Sequence, residues 1–325
     1  MTKLGKFEKY LIEEFFDDYR AGALSQRTFT RRVAFITGSM AAASAAMLLV
    51  GCTPEEVPRN TDPMPTPSPS PSGTGTGTAS LGPVPGAQSP LSVPEGAPGP
   101  VTETVLFPAG GPEISAYLAR PEAGAAGPAV LICHENRGLT PHIQDVARRF
   151  ATAGYAALAL DLLSREGGTA VIDRDAVPGA LTAAGAQRHV ADFAAAFDYL
   201  QTKDFVEEGR IAMTGYCFGG GITWQAATEL PGLKATAAFY GPSPDLEKVQ
   251  AIKPAVFGVY AELDQRITGA LPALRDALAA TDVRHQLTVY PGVDHAFHND
   301  TGQRYVEAQA TAAWNDTLAW FTKYV

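Results

Sequence analysis

Cysteine is scarce in this chain. Only Cys52, Cys133 and Cys217 occur in 325 residues. Neither these nor the six histidines fall at a spacing that suggests a metal site. No phosphate-cradling loop is present in a strand–helix setting, since the one GTGTGT-like run near residue 75 sits in a stretch without either element. No cofactor is therefore expected. Basic residues are also short, with 25 Lys and Arg against 34 Asp and Glu and a formal charge of −9. No cluster of Lys and Arg makes a basic face beyond residue 100, which excludes nucleic acid as a partner.

Apolar residues are thin over residues 53–100, where Pro, Thr, Ser and Gly dominate, with PTPSPSPSGTGTGT as the extreme. Such a stretch has too little apolar surface to offset chain entropy, and the composition predicts a disordered linker. It divides the chain into residues 1–52, the linker 53–100, and residues 101–325, roughly 225 residues and enough for one sizeable core.

The first division reads as an address. Arg31 and Arg32 precede a run from Val33 to Gly51 without a charged residue. A basic pair before an apolar stretch is the pattern of an export signal, here of twin-arginine type. Leu49-Val50-Gly51-Cys52 resembles a bacterial lipobox, which implies that Cys52 is lipidated and tethers the protein to the outer face of the cell membrane. The alternative is an uncleaved membrane-spanning anchor, for which the run is only just long enough. Upstream, Phe7, Leu11, Phe15 and Tyr19 fall at helical spacing among Glu and Asp. That spacing predicts an amphipathic helix with a solvated polar face and no assigned function.

From Val101 onward strand and helix signals alternate. VTETVLFP and ISAYLARP form an opening antiparallel pair. PAVLICHE, YAALALD, RIAMTGYC, KATAAFYG, PAVFGVYAELD and RHQLTVYPG read as further strands, the first few too apolar to face water. Helical segments follow or separate them, and residues 163–180 read as a long polar loop. This is an α/β pattern: a mostly parallel sheet with helices on both faces. In such sheets chemistry gathers beyond the carboxyl ends of the strands.

The reactive residues lie there. Glu135 and Asn136 follow PAVLICH, Cys217 follows RIAMTGY, Asp264 follows PAVFGVYAEL and His295 follows the last strand. Gly215-Tyr216-Cys217-Phe218-Gly219 fits G-x-S-x-G with cysteine for serine, a sharp strand-to-helix turn that strains and exposes its central residue. Nucleophile, acid and histidine come in that chain order. Asp264 has rivals in Glu262 and Asp294, and His295 in His298. Cys133 ends a strand near that of Cys217, so a disulfide is conceivable, though a buried free thiol is the expected state.

HENRG, GYCFGG, the aspartate of AELDQRI and the histidine of DHAFH together resemble the dienelactone hydrolase family of α/β hydrolases, over about residues 101–325. The resemblance implies a Cys217–Asp264–His295 triad that opens a lactone or cleaves an ester through an acyl-cysteine. It implies an oxyanion hole from the backbone N–H groups of Phe218 and Asn136, and a thiol gated by Glu135. The expected partners are a small ester or lactone and, through the N-terminal anchor, a membrane; the catalytic domain is expected to be monomeric. The family's two substrate-binding arginines are not both matched. Asn299 stands where one is expected, and Arg174 is the best match for the other, with Arg165 and Arg188 as competitors. Phe297 and His298 are expected to line the pocket.

Overall fold

A computed structural model of the chain describes residues 4–49, 84–122 and 125–325. The expected lipidation site, Cys52, and linker residues 53–83 lie outside these. Apolar runs become strands, and eight of them form one sheet in the order β1-β2-β4-β3-β5-β6-β7-β8. The strands are β1 (Pro100–Phe107), β2 (Ile114–Pro121), β3 (Gly127–Cys133), β4 (Ala156–Leu160), β5 (Val206–Tyr216), β6 (Ala235–Phe239), β7 (Ala255–Ala261) and β8 (His285–Tyr290). β1 and β2 pair antiparallel, β2 runs antiparallel to β4, and every pairing from β4 through β8 is parallel. Every residue of β4, β6 and β7 is buried. Successive side chains point to opposite faces, so these strands are covered on both sides.

The helices are α1 (Lys6–Arg20), α2 (Gln26–Thr37), α3 (Met40–Leu49), α4 (Pro141–Thr152), α5 (Val177–Ala184), α6 (Ala186–Gln201), α7 (Phe218–Glu229), α8 (Gln265–Thr268), α9 (Leu271–Ala279) and α10 (Glu307–Tyr324). α4 begins on Pro141, whose fixed φ suits the first helical turn. α10 closes the core by setting Trp314 and Phe321 against Phe150 of α4, with ring centroids 4.5 and 6.1 Å apart.

Three segments depart from the sequence expectations. The first is the linker. Residues 84–99 lie along the domain instead of hanging free. The Ser89 amide donates to Asp300 at 3.1 Å, the Val93 amide donates to Asp145 at 2.6 Å, and the Val93 carbonyl accepts from Arg148 at 2.6 Å. The second is the loop at 163–180, which gives way to α5 at Val177. Pro178 and Gly179 mask that helix in the sequence, but Pro178 occupies its permitted first-turn position.

The third is the N-terminal segment. Its apolar run is not one helix. Gly38 sits in the left-handed region at φ 78° and separates α2 from α3. No helix among the described residues is long and apolar enough to cross a membrane. Helices α1 to α3 instead join the same continuous core as the sheet, with Leu11, Ile12, Phe15 and Val33 almost wholly buried. Arg31 and Arg32 pair with Asp173 and Asp175 at 2.7 and 3.0 Å, on the loop before α5.

Candidate active site

β5 ends at Tyr216 and α7 begins at Phe218, so Cys217 alone makes the turn. Its backbone is forced to φ 58° and ψ −118°, a region that a side-chain-bearing residue enters only under constraint. The constraint is local packing. A Cβ on Gly215 would lie 2.2 Å from the Gly219 carbonyl oxygen, and one on Gly219 would lie 2.5 Å from the carbonyl oxygens of Cys133 and His134. The glycines thus let α7 start hard against β3. The Cys217 amide donates to the Phe239 carbonyl at 3.0 Å, which ties the turn to β6. Two further strained residues, Tyr240 (φ 37°) and Ala296 (φ 64°), lie after β6 and β8 at the same edge.

Asp264 follows β7 and His295 follows β8. The two loops are joined by the Leu263 amide donating to the Val293 carbonyl at 3.0 Å. Asp264 Oδ2 lies 2.6 Å from His295 Nδ1, and both side chains are buried. The rivals are occupied elsewhere. Glu262 accepts from the Gly292 amide at 2.7 Å, and Asp294 accepts from the His295 amide at 2.7 Å. Burial works against charge on both members of the Asp264–His295 pair, but their mutual attraction wins. Asp264, helped by Arg266 at 3.3 Å, is held below the usual carboxylate range. His295 is held well above the usual imidazole range by Asp264 and Glu14. Both directions favour the charged pair, aspartate with imidazolium.

Sγ of Cys217 lies within 4.8 Å of a ring nitrogen of His295. Burial, reinforced by the Glu14 carboxylate, pushes the thiol pKa upward, against the pull of His295. Cys133 is a second free thiol, buried, so no disulfide consumes Cys217. Among the described residues, the backbone N–H groups of Phe218 and Asn136 donate to no other group of the chain.

Glu135 was expected at the thiol. Instead its Oε2 accepts from Asn299 Nδ2 at 2.7 Å, and the carboxylate that touches Sγ belongs to Glu14, with oxygens at 3.4 and 3.7 Å. Asn299, which stands where an arginine was expected, supplies the amide that holds Glu135. Glu14 in turn accepts from Asn136 Nδ2 at 2.9 Å. One turn earlier on α1, the Tyr10 hydroxyl lies 3.3 Å from Sγ and 3.4 Å from His295 Nε2, between the thiol and the imidazole. Sequence reasoning missed both residues. Their signal was the helical stripe of α1, but that stripe does not say what it packs against.

The sequence profile of the dienelactone hydrolase family matches residues 114–325. The chain belongs to that family. It is 33% identical over 233 residues to a candidate carboxymethylenebutenolidase of Salmonella typhi, covering 67% of this chain and 86% of the relative. A similarly named protein of Saccharolobus solfataricus is 32% identical over 247 residues, covering 65% and 94%. Among solved structures, a candidate dienelactone hydrolase from Klebsiella pneumoniae superposes with a TM-score of 0.65 at 30% identity, covering 69% of this chain and 99% of that one. A dienelactone hydrolase-like phosphotriesterase from metagenomic libraries, at 22% identity and TM-score 0.63, shares the fold. The protein is thus a dienelactone hydrolase-like hydrolase, and the family profile begins at residue 114, beyond its N-terminal helices.

Three residues expected at the substrate pocket of this family member do not line it. Arg174 is exposed, between the two aspartates that hold Arg31 and Arg32. Its competitors are engaged too: Arg165 pairs with Asp192 at 2.6 Å and Arg188 with Glu166 at 2.6 Å. Phe297 is fully buried against Tyr240 and Tyr290. His298 is buried in stacking contact with Tyr216, and burial keeps it neutral. One-residue shifts decide this: the strained Ala296 turns the chain back into the core directly after His295. A cavity of about 400 Å³ does open beside the site, lined by Glu14, Glu135, Arg137, His295, Asn299 and Arg304. The arginines that line it are thus Arg137 and Arg304.

Proposed function

We propose that the protein hydrolyses a carboxylic ester or lactone through an acyl-cysteine on Cys217. Once substrate occupies the site, Glu135 turns from Asn299 to the thiol and takes its proton. The thiolate sulfur attacks the carbonyl carbon, and the backbone N–H groups of Phe218 and Asn136 bind the oxyanion. The carbon–oxygen bond to the leaving group breaks, and the His295 imidazolium protonates the departing oxygen. Water then adds to the thioester with loss of a proton to His295. The carbon–sulfur bond breaks, and Glu135 returns its proton to the sulfur. Asp264 holds the imidazole ring and its charge throughout.

The observation that carries this reading is the 2.6 Å Asp264–His295 contact beside a cysteine strained onto a strand-to-helix turn. Mass spectrometry after reaction of the chain freed of residues 1–72 with an activated ester tests it. An acyl adduct on Cys217, absent in Cys217→Ala, is expected; acylation elsewhere, or turnover by Cys217→Ala at the parental rate, would end it. A panel of lactones and simple esters then separates a lactonase from a carboxylesterase or thioesterase. Residues 1–52 are read as an export signal ending in a lipidated cysteine, on the strength of Arg31-Arg32, the uncharged run and the Leu-Val-Gly-Cys tetrad. Intact-mass measurement of the membrane-extracted protein tests this; a mature chain beginning at Met1 without lipid refutes it.

A further inference from the structure

The geometry points to α1 as an intramolecular plug: the N-terminal segment holds the hydrolase shut by lodging Tyr10 and Glu14 on the nucleophile, and separating that segment from the domain opens the site. This rests on the proposed role of Cys217, and the test below keeps the two apart.

Four observations converge. The first is steric. The Tyr10 hydroxyl touches both Sγ and Nε2, and Glu14 touches Sγ, so an acyl group cannot reach the sulfur while α1 is in place. The second is the stripe itself. Tyr10, Glu14 and Asp18 lie four residues apart on one face, and all are buried although two are acidic. Acidic residues are rarely buried unless paired, and these are: Glu14 with Asn136, and Asp18 with Arg304. Asp17 pairs with Arg266 at 2.8 Å. The third is apolar anchoring. Leu11, Ile12 and Phe15 are at most 1% exposed, and Phe7 packs on Phe218, the residue after the nucleophile, at 5.1 Å. The fourth is a second clamp. The Phe35 backbone of α2 crosses Gly179 of α5 so closely that a Cβ there would lie 2.7 Å from it, and Arg31 and Arg32 bind the adjoining aspartates.

The plug lies wholly on the N-terminal side of Cys52. Any cleavage that releases residues 1–51 would discard it together with the twin arginine. While the plug is seated, the same arginines are paired with the domain. The enzyme would thus stay closed before processing and open after it. A protonated thiol beside a carboxylate also resists alkylation and oxidation in the closed state.

The test uses the full chain carrying a site-specific protease sequence between Ser72 and Gly73. The Klebsiella relative folds with 99% of its length matched by 69% of this chain, and the family profile begins only at residue 114, which supports a domain that folds without the leader. Two rates are read before cleavage, and again after cleavage and removal of the leader by gel filtration: iodoacetamide alkylation of Cys217 by mass spectrometry, and hydrolysis of 4-nitrophenyl acetate. Both are expected to rise at least about tenfold, the ratio that a nine-tenths closed population gives. Uncleaved Leu11→Asp/Ile12→Asp, which undermines the anchor without touching the site, should rise similarly. Adding back a peptide of residues 4–49 should restore protection, and its Glu14→Lys form should not. Faster alkylation with no ester hydrolysis upholds the plug and sinks the hydrolase reading. Alkylation within twofold in the intact, cleaved and Leu11→Asp/Ile12→Asp proteins overturns the plug, whatever the esterase rates.

Discussion

Asp264→Asn is the most informative change at the site, because it alters charge and tautomer with little change in shape. In the parent, Asp264 Oδ2 accepts from His295 Nδ1 at 2.6 Å, inside a buried pair. An asparagine can present its NH₂ instead. The ring would then carry its proton on Nε2, facing the sulfur, and lose the charge it needs to protonate a leaving oxygen. In the general case of a triad, removing the acid costs about 10⁴ in rate. A thiol ionises more readily than a hydroxyl and depends less on its base, so the expected loss in kcat/KM here is about 10³-fold, or about 4 kcal/mol of transition-state stabilisation. Folding should survive, because the substitution keeps the side chain's shape and the Leu263 amide still donates to the Val293 carbonyl at 3.0 Å, joining the two loops. Activity is measured with 4-nitrophenyl acetate on protein freed of its leader, parent and variant side by side. Circular dichroism confirms the fold, and Cys217 alkylation is followed across pH. Alkylation should fall in the neutral range, since the imidazolium that favours thiolate is gone. A loss below tenfold, with alkylation unchanged at every pH, would show that Asp264 does not act through His295.

The same pair predicts a pH window for stability. His295 is raised, so its contribution is full below about pH 6.5 and is lost as pH climbs through its elevated native value; Asp264 is lowered, so its contribution is full above about pH 4 and is lost on acidification. Thermal melts of parent and Asp264→Asn should therefore differ most near pH 5–6, and a gap that widens steadily toward pH 10 would contradict the assignment. Gly219→Ala places a methyl 2.5 Å from two backbone oxygens that cannot retreat; activity should drop at least about 100-fold and stability by about 2–3 kcal/mol in urea titrations. Arg149 is buried between Asp145 and Asp300, the latter at 2.8 Å. Arg149→Met takes the buried arginine from both carboxylates, which keep only the Val93 and Ser89 amides and His142, and should cost about 3–5 kcal/mol, lowering Tm by about 10 °C in calorimetry.

What the sequence made legible was local or periodic. The strands around Leu131, Leu158 and Val256 show as unbroken apolar runs because both their faces are covered. Cys217 stands out because its turn needs glycine on either side. Asp264 and His295 could be picked because strand ends converge on one edge of a parallel sheet. What stayed hidden were pairings across distance. Asn299 reaches Glu135 over 164 positions, and Glu14 reaches Cys217 over 203. No spacing rule links such residues. The polar side of α1 reads as a solvated face because nothing in it reveals that Asn136, Arg266 and Arg304 wait opposite. Phe297 and His298 were placed in the pocket because they adjoin His295, but the left-handed turn at Ala296 sends them inward.

The buried acids of α1 also bear on why a cysteine serves here. Two carboxylates compete for the neighbourhood of one sulfur. Glu135, fixed by Asn299, belongs to the domain and would stay if residues 1–51 were removed; Glu14 would leave with them. With Glu14 present, the thiol is held protonated beside an imidazolium, the combination least able to attack a carbonyl. Removing Glu14 takes away both a like charge and part of the burial that raise the thiol. The His295 cation persists, because Asp264 remains. One structural event therefore clears the path to the sulfur and shifts the sulfur toward thiolate. A serine at position 217 would gain only the first effect, since its hydroxyl stays protonated in either state.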